Sequence, residues 1–267
     1  MNKTIDFGRV ADLYDIYVRW DVDVPFFRRA AARAPGEVLE LMCGTGRLSI
    51  PLLRDGVQLC CVDYSAEMLD VFRRKLEQHH LAAEVHQQDV RALALGRSFA
   101  LILLPFHSLS EIVESRDRVH ALARVREHLE TGGRFFCTLH NPAVQVPQLD
   151  GVRRLLYDGP MPGGDRVLRV WSTARYHGDS RLGEALQEYE VFGREQVLDR
   201  RELILRFAVI DRWTFEAEAT AAGLKALRLW GDYAGGQFEP EKSPFMVWEF
   251  GAQRRDGVRP TGFGPQR

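Results

Sequence analysis

The 267-residue chain is 45% hydrophobic, enough apolar material for a sizeable core without disulfide or metal staples. Its formal net charge of −1 supplies no sequence-wide field for a polyanion, which argues against nucleic acid or an anionic membrane as partner and for a small or neutral substrate. No run reaches the roughly 18–20 apolar residues that cross a bilayer, and Met1-Asn2-Lys3-Thr4-Ile5-Asp6 lacks a signal-peptide run, so the expected compartment is cytoplasmic.

Val10, Leu13, Tyr14, Tyr17 and Val18 recur at helical spacing while Asp12, Asp15 and Arg19 fall elsewhere, which predicts an amphipathic helix over residues 8–19. A second helix follows, capped by Asp23, with Pro25 in its first turn and Phe26, Phe27, Ala30 and Ala31 on its apolar face; Ala34-Pro35-Gly36 breaks it. Val38-Leu39-Glu40-Leu41, a glycine turn and a helix from Arg47 to Arg54 then open a βαβ unit. Val57 to Val62 is a second strand ending at Asp63, and Ser65 caps a helix with Glu67 early and Arg73, Arg74 and Lys75 late, as the helix dipole prefers. His79 and His80 end that helix as surface caps.

Glu84 to Gln87 is a third strand ending at Asp89, and Phe99 to Leu104 a fourth, apolar throughout as a strand buried on both faces should be. Val119, Leu122, Ala123, Val125 and Leu129 trace the next helix, stopped by Thr131-Gly132-Gly133, and Arg134 to Leu139 returns as a fifth strand. From Asn141 the alternation lapses, with Gly- and Pro-rich turns around 159–164 and antiparallel runs at Val167–Tyr176, Leu186–Phe192 and Leu203–Ile210. Helical spacing resumes at Phe215 to Ala222, closed by Gly223, and Leu224–Trp230 and Phe245–Phe250 read as two last strands around the turn-rich Gly231–Pro244. The predicted class is α/β: a seven-stranded, mostly parallel, doubly wound (Rossmann-like) sheet with an antiparallel β insertion acting as a substrate cap. Cys43, Cys60, Cys61 and Cys137 have no CxxC spacing and read as reduced thiols, and no metal site is expected.

A glycine-rich turn after the first strand lets backbone approach a ligand that a Cβ would repel, and Gly44 and Gly46 supply it. A nicotinamide-dependent oxidoreductase shares this feature, but its G-x-G-x-x-G fingerprint would place glycine where Ser49 stands. Asp63, nineteen residues after Gly44, is placed to accept hydrogen bonds from both hydroxyls of a ribose; Asp89, twenty-six further on, to accept from an adenine amine; and Glu40 precedes the glycines. Three acids at three successive strand ends describe an adenosine pocket without a pyrophosphate.

These landmarks resemble the class I S-adenosylmethionine-dependent methyltransferases of small-molecule type, across roughly residues 36–140 and more loosely 212–250. Glu40-Leu41-Met42-Cys43-Gly44-Thr45-Gly46-Arg47 is similar to the first motif, Val62-Asp63-Tyr64-Ser65-Ala66-Glu67-Met68-Leu69 to the ribose-binding strand end, Gln88-Asp89-Val90 to the adenine-contacting turn, and Leu129-Glu130-Thr131-Gly132-Gly133-Arg134 to the stretch before the fifth strand. The resemblance implies S-adenosylmethionine as cofactor and S-adenosylhomocysteine as product. Met42, Gly44 and Gly46 would hold the methionine part, Asp63 the ribose, Asp89 and Val90 the adenine, with Tyr64 and Met68 packing against the ring. The family usually has glycine at Met42; a negative φ there would leave the turn intact. Tyr14 and Tyr17 resemble lid tyrosines that close over the methionine carboxylate, although a plain core face has the same spacing.

Methyl transfer from a sulfonium is an in-line displacement that chiefly demands alignment. By the resemblance the acceptor lies past the fourth strand, at Leu104-Pro105-Phe106-His107-Ser108-Leu109, where Leu104 borders the cofactor and His107 is the first candidate base, with His140 the second. The chain would divide into an N-terminal helical lid (1–35), a core (36–142 and 211–252), the cap (143–210) and a disordered tail (253–267). Tyr176, Tyr189, Arg169, Arg175 and Arg206 could line the cap, and the arginines hint at an anionic acceptor, although strand alternation turns half of them away. The expected activity is metal-independent methylation of a small molecule at nitrogen or oxygen; the alternatives are the oxidoreductase above and a non-catalytic S-adenosylmethionine-binding module.

Overall fold

The computed structural model describes residues 5–194 and 196–253. In chain order its elements are α1 (Ala11–Tyr17), α2 (Val24–Ala31), β1 (Val38–Leu41), α3 (Ser49–Arg54), β2 (Leu59–Asp63), α4 (Ala66–Gln78), β3 (Glu84–Gln87), β4 (Phe99–Leu104), α5 (Ser115–Glu127) and β5 (Leu129–His140). There follow α6 (Pro142–Gln145), β6 (Asp150–Pro160), β7 (Val167–His177), β8 (Leu182–Gly193), β9 (Gln196–Ala208), α7 (Arg212–Ala221), β10 (Leu224–Trp230) and β11 (Phe245–Ala252). The central sheet has seven strands in the order β10-β11-β5-β4-β1-β2-β3. Strands β1 to β5 pair in parallel, and β11 runs antiparallel to both β5 and β10. The chain reverses direction beside β1, where β4 lies on one flank and β2 on the other, and at such a switch point the carboxyl ends of parallel strands leave a crevice for a ligand.

Every residue of β1, β2 and β4 is buried, and apart from Glu40 and Asp63 all are apolar, because the helices cover both faces. One face packs Leu39, Leu41, Ile102 and Leu104 against α5 and α7; the other packs Val38, Cys61, Leu101 and Leu103 against α2, α3 and α4. A third apolar cluster joins Ile5, Val10, Leu13 and Ile16 to Leu168, Val170, Tyr189 and Leu203 of the second sheet, whose order is β6-β7-β8-β9. The N-terminal segment is therefore held by the cap and by the core together.

Several local expectations are corrected. The helix expected over 8–19 is a 3₁₀ turn, Phe7–Val10, followed by α1, because Val10 sits at φ −132°, ψ 13° and interrupts the spiral. Strand β2 begins at Leu59 rather than Val57, and α3 at Ser49 rather than Arg47, since residues 44–48 form the turn. Strand β5 starts already at Leu129, pairs Phe99 with Leu129, and continues through the glycines with an irregularity that Gly132, at φ 85°, accommodates. Asp23 does not cap α2 with its side chain; its carboxylate is turned to Arg47. Strand β6 was not expected at all: it is an exposed edge strand with two register shifts, and these erase the alternation that would have marked it. Strands β8 and β9 extend well beyond their apolar runs because polar and charged residues, Glu184 with Arg206 and Glu188 with Glu202, are also paired across them. The expected tail lies outside the described residues except for Gln253, whose backbone donates to Gly223 O at 2.9 Å.

Candidate active site

The glycine turn between β1 and α3 is held from below by the end of β2. The Asp63 carboxylate accepts from Gly44 N at 2.8 Å and from Ser65 N at 2.9 Å, tying the turn to the start of α4. Burial raises its pKa, against the opposing pull of those backbone amides. Gly44 and Gly46 both have positive φ, 56° and 79°, and a Cβ on Gly46 would fall 2.2 Å from the Phe72 ring, so only glycine fits there. Met42 also has positive φ, 54°. The turn therefore does not survive by a negative angle at Met42, and the left-handed geometry costs about 1–2 kcal/mol. The backbone takes the glycine-type path regardless, and the Met42 side chain fits by packing against the core at the cavity wall.

Two adjoining cavities, about 770 and 280 Å³, share Met42, Asp63, Tyr64 and Glu111 as walls. The larger continues past Gln88, Asp89, Val90 and Arg91 at the end of β3; the smaller lies under Phe7, Tyr14, Tyr17, Gly44, Met68 and Phe106, roofed by Gln187 and Leu205 of the cap. Together they are the concave, partly apolar space that a nucleoside-sized ligand requires.

The structure brings most of the expected cofactor residues to these walls, but Glu40, Gly46 and Leu104 border neither cavity, Gly46 lying against the Phe72 ring, and Asp89 is engaged by a neighbour. Glu40 borders neither cavity; it is 1% exposed and accepts from Ser49 Oγ at 2.7 Å beneath the turn. Its pKa is pushed up to about 7 by burial, with the Ser49 hydrogen bond opposing. Ser49, standing where a dinucleotide fold would have glycine, is therefore the partner of Glu40. Leu104 is wholly buried in the core. Asp89 does border the larger cavity, but its carboxylate accepts from Arg91 N at 2.8 Å and is held by the Arg91 guanidinium.

His107 and His140 do come together, stacked with ring centroids 3.6 Å apart, yet neither borders either of these two cavities. The wall is made by the neighbours of His107, Phe106 and Ser108, because Phe106 and His107 both take left-handed angles, 59° and 63°. Burial pushes the His140 pKa down to about 4, and burial, then His140 and Arg47, push His107 well below the ordinary value. Both imidazoles fold neutral and protonate on unfolding. Stability is then complete above about pH 6.5 and falls as pH drops towards about 4, by roughly 1.4 kcal/mol per pH unit and per imidazole. Urea denaturation at pH 7, 6 and 5 should show this slope, and the double variant His107→Phe, His140→Phe should flatten it; an unchanged slope in that variant would refute the assignment.

The lid is pinned at both ends. Thr45 Oγ1 donates to Asp15 at 2.6 Å and Lys75 pairs with Asp15, while Tyr17 Oη lies 3.0 Å from Tyr189 Oη and Arg201 holds Asp12. Tyr64 donates its hydroxyl to Ile5 O. In the cap, Arg169 and Arg206 are paired across strands with Asp158 and Glu184; Arg206 borders the larger cavity, while Arg169, Arg175, Tyr176 and Tyr189 border neither of the two. Three metal-type donors, Cys60, Glu84 and His86, meet on β2 and β3, away from both cavities, with Glu84 engaged by Arg97.

Sequence reasoning missed Glu111. It follows β4 on a 3₁₀ turn, Ser108–Glu111, and borders both cavities. Burial, reinforced by Asp63, pushes its pKa up to about 8. The available signal was an acid embedded in the apolar stretch Leu109-Ser110-Glu111-Ile112-Val113.

Residues 38–133 match the family model described as a methyltransferase domain. The chain is 26% identical to cypemycin N-terminal methyltransferase of a Streptomyces species over 79% of its own length and 81% of that protein's. It is 28% identical to dTDP-3-amino-3,4,6-trideoxy-alpha-D-glucopyranose N,N-dimethyltransferase of Streptomyces venezuelae, over 46% and 54% respectively. It thus spans only about half of that second relative. The solved CcbJ methyltransferase from Streptomyces caelestis has the same fold, with a TM-score of 0.80, 22% identity and coverage of 94% of this chain and 100% of that one.

Proposed function

We propose that the chain is a class I S-adenosylmethionine-dependent methyltransferase, its residues 38–133 matching the methyltransferase-domain model, and that it methylates a nitrogen or oxygen of a small molecule held between lid and cap. Its cofactor is S-adenosylmethionine and its product S-adenosylhomocysteine. The observation that carries the reading is the pair of adjoining cavities meeting at Asp63 and Glu111 beside the open backbone of the glycine turn.

In this reading Asp63 accepts from the ribose hydroxyls, Val90 and the Asp89 turn border the adenine, and Gly44 with Tyr14 and Met68 encloses the methionine end. Bound there, the cofactor supplies an electrophilic methyl group on a sulfonium. The chain's own work is to orient the acceptor in the smaller cavity and to exclude water with the lid residues Phe7, Tyr14 and Tyr17. Relatives named for N-terminal and N,N-dimethyl transfer support a nitrogen acceptor, and one named for O-methyl transfer supports an oxygen acceptor. Four buried, unpaired cysteines suit a cytoplasmic setting.

Calorimetric titration with S-adenosylmethionine is expected to give a dissociation constant below about 1 mM, with S-adenosylhomocysteine released once an acceptor is supplied. No binding at millimolar cofactor, or preferential retention of NAD, would overturn the reading.

A further inference from the structure

Resting on methyl transfer in this cavity, we propose that Glu111 is the catalytic carboxylate: it anchors an amine acceptor and takes the proton that the acceptor nitrogen gives up. The smaller cavity is bordered by two charged side chains, Asp63 and Glu111, both acids, and by the lid aromatics Phe7, Tyr14 and Tyr17, while the Arg47 guanidinium that covers the Phe106 ring, 4.4 Å from its centroid, is paired with Asp23. Acids and aromatic faces form a site for a positively charged group. Asp63 accepts from Gly44 N and Ser65 N, and its remaining lone pairs are those assigned above to the ribose. The Glu111 side chain, by contrast, makes no hydrogen bond or ion pair among the described residues and stands half-buried on the wall of both cavities. A half-buried carboxylate on a cavity wall with no protein partner is available to pair with a cationic ligand.

The groups facing Glu111 come from three directions. Asp63 and Tyr64 lie at the end of β2, Tyr14 on α1, and across the larger cavity Arg206 on β9, whose guanidinium is occupied by Glu184. Asp63 and burial together favour the protonated acid in the ligand-free protein, with a pKa of about 8; an arriving sulfonium has the opposite effect and favours the carboxylate.

The step balances without a further reactant. The nitrogen lone pair forms a bond to the methyl carbon, the sulfur–methyl bond breaks with its electron pair kept by sulfur, and the proton leaving nitrogen passes to the Glu111 carboxylate and then to water. An amine arriving as ammonium loses its first proton to the same carboxylate, which passes it to water before the methyl transfer and so is ionised again to receive the second.

Two measurements test this. The first is calorimetry with S-adenosylmethionine and with S-adenosylhomocysteine at pH 7.5 in buffers of different ionisation enthalpy. The wild type is expected to release a substantial fraction of a proton with the sulfonium and little with the neutral thioether, and E111Q to show no such difference. The second is initial rates with primary amines, phenols and carboxylates. Amines are expected as acceptors, with kcat/KM at least about 100-fold lower in E111Q and its acidic limb lost. Equal proton release with the two ligands in the wild type, which needs no variant, would overturn the proposal, as would wild-type rates and pH dependence in E111Q. If the wild type bound no S-adenosylmethionine, the methyl-transfer reading itself would fall, a distinguishable result.

Discussion

Asp63→Ala is expected to raise the dissociation constant for S-adenosylmethionine by at least about 100-fold. A carboxylate that accepts from two ribose hydroxyls makes two charge-assisted hydrogen bonds, each contributing about 1.5–3 kcal/mol. Their loss corresponds to roughly two to four powers of ten in affinity. The same carboxylate secures Gly44 N and Ser65 N, so the variant also leaves two enclosed donors unpaired and loses stability, at about 1–3 kcal/mol for each. Calorimetry on protein shown to be folded at the assay temperature separates the two effects. Affinity within threefold of wild type would remove Asp63 from the ribose site.

Glu218→Ala is expected to lower the unfolding free energy by about 3–5 kcal/mol, the usual cost of stranding one member of a buried ion pair. Arg118 and Glu218, each 5% exposed at the side chain, join α5 to α7 through two hydrogen bonds of 2.9 and 2.6 Å. Arg118 also donates to Ile112 O at 2.9 Å and Val113 O at 2.8 Å. The pair therefore fixes the backbone immediately after Glu111, and its loss should reduce turnover more than cofactor affinity. Urea denaturation is the measurement for stability. A change below about 1 kcal/mol in Glu218→Ala would show that the pair is not structural. The double variant Arg118→Leu, Glu218→Leu is expected to recover much of the stability, because an apolar pair leaves no charge behind.

The landmarks legible in the sequence were those whose physics is local. Gly44 and Gly46 announce a turn, Asp63 and Ser65 mark a strand end and a helix cap, and Phe99 to Leu104 declares a strand buried on both faces. Glu40 was misassigned to the ligand because a strand-end acid reads alike whether it faces a cavity or a buried serine. His107 and His140 drew attention by their residue type and position, yet their rings face each other behind the wall. Edge strand β6 was invisible because its exposed, register-shifted residues carry no period.

By itself the sequence determined the parallel core and the turn that serves it, since apolar runs, glycines and helix caps act over a few residues. The tertiary structure alone decided which acids share the cavity. Glu40 turns beneath the turn, Asp63 holds it, and Glu111 stands unpaired where lid, core and cap converge. Burial and the field of neighbouring charges depend on segments as distant as α1, β4 and β9, and no local pattern encodes their meeting.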